Sequence, residues 1–110
     1  MTEYFRRYHR YPVFTRAVVT LKEWAHPRQV TTQVTNISQG GIGLYTDVPL
    51  EQTTPVSVEL AYPDIVGTGP GEHLQGRVAS LLKQYDRYFM GIVFDEPLTH
   101  EHLMKILRWE

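Results

Sequence analysis

From Val13 the chain alternates. Val13, Thr15, Ala17, Val19 and Leu21 fall on one side of an extended backbone; the more polar set Phe14, Arg16, Val18, Thr20 and Lys22 falls on the other. Successive strand side chains point to opposite faces, so this period of two predicts a half-buried β-strand. A turn is predicted at 26–28 (HPR). RQVTTQVTNI follows, rich in Thr and Val, with Val30 and Val34 on one face. SQGG breaks that segment, IGLYT reads as a short strand, and DVPLEQTT as a connector containing Pro49. PVSVELAY alternates again, with Val56, Val58, Leu60 and Tyr62 on one side. The Gly/Pro-rich stretch PDIVGTGPGEH is a loop. LQGRVASLLKQ and RYFMGIVF are two further strands around YDR. Six successive strands with short connections predict an antiparallel sandwich or barrel; the reading taken is all-β, a six-stranded antiparallel β-barrel.

The tail breaks the pattern. In LTHEHLMKILRWE, Thr99 is placed to cap a helix over 99–109, and Leu98 and Leu103 occupy the N′ and N4 positions of a hydrophobic staple. Glu101 near the start and Arg108 near the end match the helix dipole. Leu103, Ile106 and Leu107 form a stripe at 3–4 spacing that would lie on the barrel.

Composition narrows the class. A chain of 110 residues is expected to be one domain with a core of its own. With no cysteine, disulfides and thiolate metal sites are excluded. The apolar runs are strand-sized, well below the roughly 20 residues needed to span a bilayer. No apolar stretch follows the N-terminal arginines, so a signal peptide is not expected, and Pro12 with a strand behind it argues against a transit peptide. The expected location is the cytoplasm, without membrane insertion. Lys and Arg total 11 against 12 Asp and Glu, which argues against a general nucleic-acid binder.

The chemistry-bearing residues are few. Of the five histidines, His100 and His102 are two apart on a helix and do not share a face, and the others are scattered, so no metal site is expected. GTGPG at 67–71 lacks the Lys-Ser/Thr of a phosphate loop and has strands on both sides, which fits a hairpin connection. No nucleophile has an identifiable base and no carboxylates are paired for acid–base work, so neither an enzyme nor a catalytic residue is expected.

Two segments remain. FRRYHR, residues 5–10, gathers three arginines at one end of a neutral chain. It reads Arg6-Arg7-Tyr8-His9-Arg10, an R-x-x-x-R spacing. Asn36-Ile37-Ser38-Gln39-Gly40-Gly41 reads N-x-S-x-x-G. GIGL runs on from it, GRV (76–78) and GIVF (91–94) look like late strands, and a helix closes the chain. In this order, over almost the whole length, the chain resembles the PilZ domain family, bacterial receptors for cyclic di-GMP.

The resemblance implies that Arg6, Arg7, Arg10, Asn36, Ser38, Gly40 and Gly41 bind that ligand, with no other cofactor. Residues 1–12 would form a flexible arm carrying the arginines and 13–110 the barrel. A guanidinium is a flat fork of donors that can hold a phosphate with two hydrogen bonds or stack on a purine, which suits Arg6 and Arg10. Arg7 is expected to touch phosphate or to add local positive potential. The glycines of SQGG can take positive φ and admit a base, while Asn36 and Ser38 offer donors and acceptors to a guanine edge or phosphate oxygen. For each segment a plainer account stands beside this one. The arginines could be a solvated terminus, and Asn and Ser often hydrogen-bond their own backbone in turns. Phe5 stands where family members that take a stacked ligand dimer tend to carry arginine. As a standalone receptor the chain would act through an unidentified protein target; the alternative is a PilZ-type interaction module that binds no nucleotide. Arg16 and Arg28 read as solvated strand and turn residues.

Overall fold

The structure, a computed structural model, describes residues 8–22, 28–61 and 72–107. It contains β1 (Tyr11–Leu21), β2 (Arg28–Ile37), β3 (Gly41–Thr46), β4 (Pro55–Ala61), β5 (Glu72–Gln84), β6 (Arg87–Phe94) and α1 (His100–Leu107). The strands close into a barrel in the order β1-β2-β3-β6-β5-β4, each neighbouring pair antiparallel and β4 paired back to β1. The expected six-stranded barrel with a C-terminal helix is therefore the fold.

The alternation places the core. Val13, Ala17, Val19 and Leu21, then Val30 and Val34, then Val56, Val58 and Leu60 are all buried. Burying each of the valines and leucines contributes roughly 1.5–3 kcal/mol against leaving it in water. β1 begins at Tyr11, two residues before the alternation becomes legible, and the sharp turn expected at 26–28 falls mostly outside the described residues. Tyr62 and GTGPG also lie outside them. The strands on either side nevertheless pair antiparallel, with Leu60 opposite Glu72, as a hairpin connection requires.

Closure demands curvature, which β-bulges supply by bending one strand against its neighbour. The register slips between Pro12 and Thr15 of β1, between Val34 and Asn36 of β2, and between Val78 and Ser80 of β5. In β2 and β5 the extra residue reverses the alternation, whereas β1 keeps one inward face through its slip, with Val13 and Ala17 both buried. In β2 the inward positions run Val30, Thr32, Val34 and then Ile37, so Asn36 turns outward. Thr32 is polar within this buried series, and its hydroxyl donates to the Ala17 carbonyl at 2.9 Å. In β5 the extra Ala79 moves the inward side from Val78 to Leu81, which leaves Leu82 56% exposed.

α1 begins as its sequence signals require. The His102 amide donates to Thr99 Oγ1 at 3.0 Å, and Leu98 and Leu103 are both buried. Glu101 lies in the first turn; Lys105 takes the last-turn place expected of Arg108, which is outside the described residues. Eight residues are too few for a helix to hold alone. Leu103 and Ile106 secure it by joining the same hydrophobic cluster as the strands.

At Gly76 the β5–β6 pairing leaves no room for a side chain. A Cβ there would lie 2.4 Å from the Val93 carbonyl oxygen and 2.9 Å from Ile92 Cγ2. The obstacle is ladder backbone, which cannot swing aside. Gly76→Ala is expected to destabilise the fold by about 3 kcal/mol or more, checked by chemical denaturation.

Candidate ligand-binding site

β2 ends at Ile37 and β3 begins at Gly41, leaving three residues to reverse the chain. Ser38 makes this possible. Its side chain is buried, and its Oγ accepts from the Gly40 and Gly41 amides at 3.1 and 3.2 Å while donating to the Gly41 carbonyl at 3.4 Å. The Ser38 amide donates to the same carbonyl at 2.8 Å. One hydroxyl thus satisfies two buried backbone donors. Of the two accounts open from sequence, bonding to its own backbone describes what Ser38 does here.

Asn36 is placed by the bulge. Thr35 is the extra residue, so Asn36 pairs with Gly43 on the outer face and is half-buried there. Its Nδ2 donates to Thr35 Oγ1 at 3.1 Å, and that hydroxyl donates to the Gly43 carbonyl at 3.3 Å. The amide occupies the volume that a side chain at position 43 would fill: a Cβ on Gly43 would come within 2.8 Å of Asn36 Nδ2 and 2.9 Å of Phe89 Cζ. Pro12, Asn36, Gly43 and Gly91 lie in register across β1, β2, β3 and β6. The two glycines keep side chains out of the middle of that row.

The register also locates the end of the arginine motif. Tyr11 pairs with Ile37, so Arg10, immediately before it, enters the barrel beside Ser38. Arg10 is exposed. His9 stacks edge-on against Tyr11 with ring centroids 4.6 Å apart, and Tyr11 packs on the core, which fixes the line of entry. Arg10, Asn36, Ser38, Gly40 and Gly41 therefore share one end of one strand pair. Arg6 and Arg7 lie outside the described residues.

Sequence reasoning missed Gln39. Its Nε2 donates to the Leu98 carbonyl at 2.9 Å, and the Leu98 amide donates to the Gln39 carbonyl at 2.7 Å. The Phe94 amide donates to the Gly40 carbonyl at 2.9 Å. The turn is thus tied at three points to the segment that leads into α1. Gln39 occupies a variable position of N-x-S-x-x-G, and its partner is 59 residues away, so no local signal marks it. Gly43 and Phe89 were missed as well; the glycine alternation in GGIGL was the one available hint.

A small closed barrel has a polar bend at one rim and a cation entering beside it. The chain belongs to the PilZ domain family, whose model matches residues 4–109. Among solved structures, the chain is similar to the PilZ domain with c-di-GMP of YcgR from Escherichia coli. The TM-score is 0.68 at 14% identity, covering 94% of this chain and 86% of that one. It is also similar to the Bacillus subtilis inhibitor of motility, MotI/DgrA, with a TM-score of 0.64 at 14% identity. That match covers 94% of this chain and 49% of the other, so this chain spans about half of it. Likeness at this identity speaks to the fold. No curated protein sequence matches the chain.

Two substitutions separate shaping the turn from presenting the amide. Ser38→Ala leaves the Gly40 and Gly41 amides without their buried acceptor and is expected to cost about 1–3 kcal/mol in a denaturant titration. Gly43→Ala meets only the ends of the Asn36 and Phe89 side chains, which can move. It should cost no more than about 1 kcal/mol while shifting the Asn36 side-chain amide resonances in a nitrogen-edited NMR spectrum.

Proposed function

We propose that the chain is a receptor for cyclic di-GMP that signals through a protein partner. The observation that carries this reading is the register of β1 on β2, which brings Arg10 beside the 36–41 turn in a PilZ chain with every motif position filled. The structurally similar YcgR domain is described with c-di-GMP, which supports the same choice of ligand.

The ligand has two phosphodiester charges and two guanines. Arg6 and Arg10 supply forked donors for the phosphates or planes for the bases, and Arg7 adds positive potential or a further phosphate contact. Asn36 offers its amide to a guanine edge or phosphate oxygen from the outer face. Ser38, Gly40 and Gly41 serve mainly through shape: the buried hydroxyl holds the turn in which the glycines admit the ligand. The arm expected over residues 1–12 is shortened by β1, which already holds Tyr11 and Pro12 against β2, so in this reading the residues before Tyr11 are the ones that close over the turn. Closure changes the surface around 36–41, and the bonds from Gln39 to Leu98 carry the change toward α1, where a partner can read it.

The chemistry calls for binding, and no step needs a catalytic residue. The proposed location is the cytoplasm. Among the described residues no helix is long and apolar enough to cross a membrane.

Each charge-assisted hydrogen bond contributes on the order of 1.5–3 kcal/mol. Arg6→Ala and Arg10→Ala are therefore each expected to weaken cyclic di-GMP binding about tenfold or more in calorimetric titration, with unchanged thermal unfolding. Heat of binding that is the same in both variants as in the parent chain would defeat the proposal. A PilZ-type interaction module that takes no nucleotide would instead give no heat with the parent chain.

A further inference from the structure

Beyond the turn, a groove of about 680 Å³ runs along the outer face where β1, β2 and β3 curve past one another. Its volume lies within the roughly 300–1,000 Å³ typical of small-ligand sites. Arg16, Gln33 and Tyr45 lie in register across β1, β2 and β3 along it, and Asp47 and Arg87 line it beside Tyr45. The groove continues the surface that carries Asn36, since Gln33 and Thr31 are three and five residues back along the same strand, about 10–16 Å.

Tyr45 and Arg87 carry a connected set of contacts. The Tyr45 ring lies edge-on to Phe89 at 5.2 Å, its hydroxyl donates to Gln84 Oε1 at 3.0 Å, and the Arg87 guanidinium sits over it at 4.9 Å from the ring centre. Arg87 Nε is 4.0 Å from Asp47 Oδ1, and the two side chains are 43% and 86% exposed. So long and open a pair contributes little to folding. What it offers is a carboxylate, which only accepts, next to a guanidinium, which only donates and lies over an aromatic ring.

Guanine carries the complementary pattern. Its N1–H and N2–H₂ donors stand next to its O6 and N7 acceptors. Adenine reverses both signs at the shared edge, with an acceptor at N1 and an amine at position 6. Resting on the Receptor reading above, we propose that Asp47 and Arg87 form a guanine-reading subsite. Asp47 accepts from N1–H and N2–H₂, and Arg87, carried on the Tyr45 ring, donates to O6 in the plane of the base. Adenine would turn its N1 acceptor toward the carboxylate and its amine toward the guanidinium, so the subsite selects against it. Arg16, read from sequence as a solvated strand residue, stands across the groove where it can reach N7 or a phosphate. The base can belong to the same cyclic dinucleotide held at the turn or to a second molecule; the recognition chemistry is the same.

The test is calorimetric titration of the whole chain with cyclic di-GMP and with cyclic di-AMP. The parent chain should prefer the guanine ligand. Asp47→Asn turns one of two acceptors into a donor facing a donor. It should lower cyclic di-GMP affinity about tenfold and narrow the preference over cyclic di-AMP, and Arg87→Ala should do the same. Thermal melts matching the parent would exclude a folding effect. Given the loss of affinity in both variants, one ligand per chain in all proteins places both bases of a single molecule on the face, whereas two in the parent and one in Asp47→Asn assigns the groove to a second molecule. If both variants bind with parental affinity and preference while Arg10→Ala binds poorly, the subsite is wrong and the receptor reading stands. If the parent chain binds no cyclic di-GMP, the receptor reading fails and this inference falls with it.

Discussion

A six-stranded sheet can close on itself only if its strands bend, and the bend in β2 governs much of what the molecule presents to its surroundings. The extra residue at Thr35 reverses the alternation two positions before the strand ends. Without it the inward series Val30, Thr32, Val34 would continue to Asn36, burying an amide in an apolar core, a change that costs a few kcal/mol when no partner compensates. With it Ile37 enters the core and Asn36 lies on the outer face over Gly43. One irregularity thus serves closure, core composition and the placement of a candidate ligand group.

The turn that follows is built to a similar constraint. Reversing the chain in three residues buries backbone amides that no strand can pair, and Ser38 supplies the acceptor. Among the described residues no buried side-chain nitrogen or oxygen lacks a partner, so the turn is a satisfied structure in its own right. A ligand would meet a formed surface on this side and would have to order less of the chain on binding. Gln39 extends that rigidity to Leu98, the residue that staples α1. Turn, strand end and helix start form one connected unit, the contact through which the proposed signal would pass toward the C-terminal surface.

Charge is distributed to match. The chain is near neutral as a whole, with net charge −1, yet three of its arginines lie within residues 6–10 and two more, Arg16 and Arg87, line the groove. In the proposed reading a doubly charged guanine compound needs local donors more than a global field, and clustered guanidinium groups would meet that need without making the protein a general binder of polyanions.

The sequence by itself determined the strand number and the faces of β1 and β4, the helix with its Thr99 cap and Leu98–Leu103 staple, and the residues able to carry the proposed chemistry. These were legible because alternation, capping and turn chemistry act over a few residues and leave their mark in the local order of types. Only the tertiary structure decided that β3 lies beside β6 and β4 returns to β1, and that Thr35 and Ala79 are the residues pushed out of register. The pairing of Gln39 with Leu98, and of Asp47 and Arg87 around Tyr45, was settled at the same level. Bulges answer to the curvature of the whole sheet, and these contacts join residues tens of positions apart, so nothing in any short stretch of chain encodes them.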